Sequence, residues 1–235
     1  VTGARRGYGR FGHLPAWDLL IATIPHRHAT LTELLADLDR QIEVAPPSYR
    51  MHGVGVLLYR DNLTVSYGDK TQALVNASGA EYVSCIDDDD LLAPDGVARV
   101  TTALRGRPDY VGFNVAWTRD GVPQVPVTHS LDCPRWHNSP ERLQRSVMQF
   151  NPVRRDIALD GTWAGGYEAE IRWGNGVIAA GRCKREAFIP GPPVYLYRER
   201  TGDTFKTART PVPPEAIPPL PAYRWLTVLV AEGSC

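Results

Sequence analysis

The chain has no net charge: 26 Lys and Arg balance 26 Asp and Glu over 235 residues. That excludes the overall electrostatic bias on which general binders of nucleic acid or anionic membranes depend. No apolar run approaches the ~20 residues needed to span a bilayer, and the arginine- and glycine-dotted start does not read as a signal peptide. Cysteine is scarce. Cys85, Cys133, Cys183 and Cys235 are far apart, with no Cys-x-x-Cys pair, which favours a reduced, cytoplasmic setting over a disulfide framework. Internal repeats and a clear linker are also lacking, so one domain is expected. What is present is enough apolar material, 43% of residues, to fill a substantial core. The charge is also uneven: the part from Arg135 onward is mildly basic and the part before it mildly acidic.

The first half alternates strand and helix signals. "DLLIATI" (18–24) is a short apolar, β-branched run that stops at Pro25. Leu31, Leu34, Leu35, Leu38 and Ile42 then recur on one helical face behind a Thr30-x-x-Glu33 capping box. "VGVLLY" (54–59) reads as a second strand and Arg60-Asp61-Asn62 as its loop. Asp69 is a candidate N-cap for a helix closed by Gly79. "EYVSCI" (81–86) is a third strand, Pro94 opens another helix, and "YVGFNVAW" (110–117) is a fourth strand. Strands alternating with helices predict an α/β fold: a mainly parallel sheet covered on both faces. Ligands of such sheets bind beyond the carboxyl ends of the strands.

The second half is less regular. "VPQVPV" (122–127) suits an edge strand, Ser139-Pro140-Glu141 is expected to start a short helix through Met148, and a further helix is expected from about Gly166 to Ala180, weakened by Gly174 and Gly176. From Gly191 to Pro221 the chain is proline-rich and is expected to wrap the surface as an irregular C-terminal tail.

"VSCIDDDDLLAPDG" (83–96) sets four aspartates at the end of the third strand. Clustered carboxylates there are costly unless a cation neutralises them, and oxygen ligands suit Mg²⁺ or Mn²⁺. A solvated acidic loop at a helix N-terminus is the plain alternative. Calcium-loop and phosphatase spacings both fail at Leu91.

With its flanks, "GDKTQALVNASGAEYVSCIDDDDLLAPDG" resembles the central segment of family 2 glycosyltransferases of the GT-A fold. "TIPHR" (23–27) is similar to that family's first strand and basic loop, and "YRDN" (59–62) to its second strand and acidic loop. The resemblance spans about residues 18–105. It implies a Rossmann-like nucleotide-sugar-binding half over 18–117, an acceptor-binding half over 118–210, and a proline-rich tail over 211–235. It implies a metal, Mn²⁺ or Mg²⁺, held by Asp89 with Asp87, and an Asp-x-Asp formed by Asp87-Asp88-Asp89. Asp90 would support that shell or cap the next helix. Asp61 would accept from a nucleobase edge, favouring a UDP-sugar donor, with His26, Arg27 and Lys70 near the base or diphosphate.

Inverting sugar transfer needs a carboxylate base. "NPVRRDIALDGTWAGGYEAEIRW" (151–173) is similar to the region that carries it, although the usual Glu-Asp pair is missing. Glu168 aligns with the glutamate of that pair. Glu170 takes its place if the register slips by two, and Asp160 is the outsider. "YLYRERTGDTFKT" (195–207) resembles the closing loop, from which Arg198, Arg200 and Lys206 would reach the diphosphate. The acceptor is open: a small molecule, glycan or protein by default, or a hydroxymethylated DNA base suggested by the basic and aromatic residues between Arg135 and Arg155. A nucleotidylyltransferase and a non-catalytic nucleotide-sugar-binding protein are the competing functions. The first would show a glycine-rich phosphate loop after its first strand, which "TIPHRHAT" (23–30) lacks.

Overall fold

A computed structural model of the protein describes residues 15–45, 53–133, 137–166, 168–201 and 210–230. In chain order its main elements are β1 (Trp17–Thr23), α1 (His28–Val44), β2 (Val54–Arg60), α2 (Tyr67–Ala77), β3 (Tyr82–Cys85), β4 (Leu91–Leu92), α3 (Gly96–Leu104) and β5 (Tyr110–Arg119). There follow β6 (Val122–Pro123), β7 (Val127–His129), β8 (His137–Asn138), β9 (Leu143–Arg145), β10 (Val153–Arg154), α4 (Arg155–Ala158) and α5 (Ala169–Ala179). The last are β11 (Glu186–Ile189), β12 (Tyr195–Glu199) and β13 (Leu226–Val230).

One sheet runs β13-β2-β1-β3-β10-β5-β7-β9-β8, with β11 and β12 also paired to β5. The neighbours β13, β2, β1 and β3 are parallel. The two-residue β10 lies antiparallel between β3 and β5, which therefore point the same way. The side-chain period of two sends successive residues of β1 to opposite faces. Leu19 and Ile21 join Leu31, Leu34, Leu35 and Leu38 of α1 and Val97 and Val100 of α3. Leu20 joins Leu74 and Val75 of α2 and Trp173 and Val177 of α5 on the other face. The α/β architecture, with helices on both faces of a mostly parallel sheet, is the one expected.

Several local expectations are corrected. The Thr30–Glu33 capping box does not form, because Pro25 seeds a 3-10 turn over Pro25–Arg27 and α1 starts at His28. Thr30 instead donates to the Arg27 carbonyl at 3.0 Å. The N-cap of α2 is Ser66, whose Oγ accepts from the Asp69 N–H at 3.2 Å and donates to its carboxylate at 2.7 Å. The helix expected over 139–148 is the β8–β9 hairpin. Ser139 closes its turn on Arg142, and β9 pairs with β7 in register, so sheet pairing overrides the local helix signal. The segment read as a closing loop begins as β12, parallel to β5. The described part of the tail is largely irregular, but after the buried Trp225 it forms β13 on the edge of β2.

Glycine allows α5 to sit where it does. A Cβ on Gly174 would meet the Val147 carbonyl oxygen at 2.5 Å, and one on Gly68 would meet that of Gly165 at 2.6 Å. The second and fifth helices are thus drawn against the loops beside the aspartates.

Candidate active site

Parallel pairing sets Thr23 against Arg60 and Leu20 against Cys85, so the carboxyl ends of β1, β2 and β3 open on one edge. The Pro25–Arg27 turn, Asp61 and the four aspartates all lie there. Asp88 and Asp90 turn inward and are buried, while Asp87 and Asp89 stay partly open. Asp88 accepts from Thr23 Oγ1 at 2.6 Å and from Arg27 at 3.0 Å. Asp90 accepts from the Tyr195 hydroxyl and from the Arg198 N–H, both at 2.7 Å. Asp87 accepts from the Tyr67 hydroxyl at 3.2 Å and faces the Gln149 amide at 3.4 Å. Asp89 is ion-paired with Arg27. Beneath the turn, Tyr195 stacks on Phe150 at 4.4 Å.

The electrostatics follow from this crowding. Burial, then the charges of Asp89, Asp88 and Glu170, push the Asp87 carboxyl up to about 7. Burial likewise raises Asp88 to about 6, against the pull of Arg27 and Thr23. Asp90 is raised well above the usual range by burial and then by Asp87 and Asp89. Arg27 is the cation seated among these carboxylates, too little charge to balance them all. Hard oxygens on the two partly open residues, Asp87 and Asp89, fit a divalent cation in donor chemistry. Among the described residues no cluster of three or more His, Cys, Asp or Glu is arranged to hold a metal alone. Such an ion would take its other ligands from water and donor phosphates.

Toward the β2 side, His26 is exposed at the rim. Lys70 and Asp61 form a buried ion pair at 2.5 Å, with side chains 6% and 0% exposed. The second Asp61 oxygen accepts from the N–H groups of Thr64 and Val65 at 2.6 and 2.8 Å. Burial alone would raise Asp61, but the bonds from Lys70, Val65 and Thr64 outweigh it and hold the carboxyl below its usual range. Both oxygens are thus engaged within the protein. Asn62 clasps the tail, exchanging bonds with the Val212 backbone at 2.7 and 2.9 Å.

The candidate bases separate clearly. Glu168 is exposed and left-handed (φ 68°), just before α5 begins. Glu170, in the first turn, is partly buried, and its charge is felt by both Asp87 and Tyr67. Burial, chiefly, raises its carboxyl above the usual range. Asp160 is tied to Arg182 through both oxygens at 3.0 Å. The loop before α5 is braced by Trp163, edge-on to Tyr67 at 6.1 Å and stacked on Trp173 at 5.0 Å.

Of the closing-loop residues, Arg198 is a strut: it donates to the Asp89 carbonyl at 2.7 Å and to Glu33 at 2.9 and 3.0 Å. Arg200 lies half-buried beyond β12, and Lys206 is outside the described residues, as are Arg135 and Trp136. The rest of that basic segment is largely committed elsewhere. Phe150 is core, Arg154 binds Asp109 and Asp156, and Arg155 binds carbonyls of α2. Sequence reasoning missed Tyr67, Gln149 and Tyr195, which hold the aspartate turn from three separate segments. Only the Ser66–Asp69 box, by fixing where α2 begins, gave a signal for Tyr67.

Among described residues no helix is long and apolar enough to cross a membrane. No family model and no curated protein matches the sequence. In three dimensions the chain is similar to S. aureus TarS, a glycosyltransferase. It aligns with residues 1–349 of TarS at a TM-score of 0.55 and 11% identity, over 78% of this chain and 60% of that one. With the same fragment in complex with UDP-GlcNAc the TM-score is 0.54 at 12% identity, over 83% and 62%. A further structure of the fragment holds UDP. The chain thus spans about 60% of the TarS fragment, and what the two share is the fold.

Proposed function

We propose that the protein is a metal-dependent, inverting glycosyltransferase that takes its sugar from a nucleotide-diphosphate donor, of which a UDP-sugar is the best candidate. The observation that carries this is the pair Asp87 and Asp89 at the carboxyl edge of the parallel strands, with the partly buried Glu170 of α5 near enough for its charge to act on Asp87. The TarS structures with UDP and UDP-GlcNAc support the choice of donor for this fold.

In this mechanism the nucleotide lies over the ends of β1 and β2, beside His26 and Arg27. Asp61 contacts the base only if it gives up a present partner, so its first role is to hold Lys70 and the 61–65 loop. Arg27 moves from Asp89 toward the donor phosphates. Asp87 and Asp89 would hold Mn²⁺ or Mg²⁺, which when bound neutralises charge on the departing diphosphate. Glu170 accepts the proton of the acceptor hydroxyl as that oxygen attacks the anomeric carbon. Burial raises its proton affinity, the direction that makes a carboxylate a stronger base. Glu168, facing solvent, is the second choice. Arg200 and Lys206 remain candidates for closing over the diphosphate.

The test is incubation with UDP-glucose, UDP-galactose and UDP-N-acetylglucosamine with and without Mn²⁺, following UDP release. Mn²⁺-dependent release with at least one donor is expected, and Glu170→Gln should remove it. Release of pyrophosphate from a nucleoside triphosphate would point instead to a nucleotidylyltransferase, and binding without turnover to a non-catalytic protein.

A further inference from the structure

Gln149 belongs to none of the motifs that suggested a function. It lies between β9 and β10, is 6% exposed, and its carbonyl accepts from the Cys85 N–H at 2.7 Å. That bond locks it to the end of β3. Its Nε2 faces Asp87 Oδ2 at 3.4 Å, whereas its Oε1 is buried with no hydrogen-bond partner. Turning the amide over would set two oxygens against each other, so the donor end belongs to Asp87. A buried acceptor left unpaired is costly, and this one borders the open carboxylate of the site.

We propose that Gln149 is a specificity-determining residue for the donor sugar. A small shift of the surrounding side chains as the donor enters uncovers its Oε1, which accepts a hydrogen bond from a hydroxyl or acetamido N–H of the transferred sugar, while Nε2 positions Asp87. The proposal rests on the glycosyltransferase reading above. Within a UDP-sugar, phosphate oxygens only accept near neutrality, so the partner is the uracil N3–H, a ribose hydroxyl, or a hydroxyl or acetamido N–H of the sugar. Strand order favours the sugar. Gln149 leads into β10, on the side of β3 away from β1 and β2, where the nucleotide would lie. On its own side stands α5, which carries Glu170 and whose Gly174 abuts Val147, two residues before Gln149.

The experiment is calorimetric titration, with Mn²⁺, of wild type and Gln149→Met. The ligands are UDP alone and whichever of UDP-glucose, UDP-galactose or UDP-N-acetylglucosamine the wild type binds most tightly. Methionine keeps the length and volume of the side chain but removes the amide. The expected result is UDP affinity within twofold of wild type, UDP-sugar affinity lowered about tenfold, the worth of one hydrogen bond, and a melting temperature equal to or above wild type. Unchanged UDP-sugar affinity would overturn the proposal while leaving the parent function standing. Equal losses for UDP and UDP-sugar would overturn it in favour of uracil or ribose contact, or of a structural role if the melting temperature also drops. If Gln149→Met does not fold, Gln149→Asn, which withdraws the amide, should show the same selective loss. Wild type that binds neither UDP nor any of the sugars removes the parent function, and this proposal with it.

Discussion

At the residue scale, the aspartates of the turn do different jobs because they differ in burial: Asp88 and Asp90 are buried, whereas Asp87 and Asp89 are partly open. Asp88 and Asp90 are anchored inward by Thr23, Arg27, Tyr195 and Arg198, and this fixes the backbone from which Asp87 and Asp89 project. A raised carboxyl has a definite consequence for stability. Asp87 binds its proton in the native state up to about pH 7, whereas in the unfolded chain it loses it near 3.8. Between those values the native state holds the extra proton, so stability falls as pH rises. Without metal the melting temperature should therefore be higher at pH 5 than at pH 8, measured by scanning calorimetry at constant ionic strength. Added Mn²⁺ should raise it more at pH 8 than at pH 5, because the cation competes with the proton. At Glu170, exchange for Gln keeps size and removes proton acceptance. In steady-state kinetics kcat should fall roughly 10²- to 10⁴-fold with donor affinity retained, and Glu168→Gln should stay near wild type.

The same scale explains what was legible. The four aspartates, His26, Arg27 and Asp61 stand on short loops directly after strands, where sequence order nearly dictates position, and Lys70 follows in the first turn of α2. Tyr67, Gln149 and Tyr195 reach the site from segments far apart in the chain, and each partnership depends on a tertiary approach that no local pattern encodes. Asp61 illustrates the opposite limit. Its location was legible, but the buried bonds to Lys70, Thr64 and Val65 were not.

At the element scale, the leucine stripe of α1 and the apolar runs of β1, β2, β3 and β5 specify the core half directly. The 139–148 segment failed because a serine-proline start serves a tight turn as well as a helix. The proposal prefers Glu170 to Glu168 because α5 starts at Ala169, leaving Glu168 outside the helix. Two expectations belong here. Gly174→Ala drives a methyl toward the Val147 carbonyl and should cost about 1–3 kcal/mol in urea unfolding by overpacking. It should also lower kcat by displacing the helix that carries Glu170. Lys70→Met breaks the tie between α2 and the end of β2, leaving the Asp61 carboxylate buried and unpaired. A loss of about 3–5 kcal/mol is expected in the same assay, much of it recovered when Asp61→Asn is added.

At the scale of the whole molecule, a chain of zero net charge concentrates its electrostatics at one sheet edge, where Arg27 partly compensates the aspartates. The edge is enclosed by segments from both halves of the sequence: α2 and the loop before α5, β12 beneath the aspartate turn, and the tail held by Asn62. Parallel strand order made the edge predictable. The enclosure was not, because β12 and β13 join the sheet through pairings more than seventy residues away in sequence. The most direct measurement is binding of UDP-glucose, UDP-galactose and UDP-N-acetylglucosamine, with and without Mn²⁺, to wild type and Asp89→Ala, by calorimetry. Saturable binding of at least one donor that requires Mn²⁺ and disappears in Asp89→Ala, with the fold intact by circular dichroism, is the predicted result. Donor binding that is the same in both proteins, or absent from wild type with every donor, would contradict it.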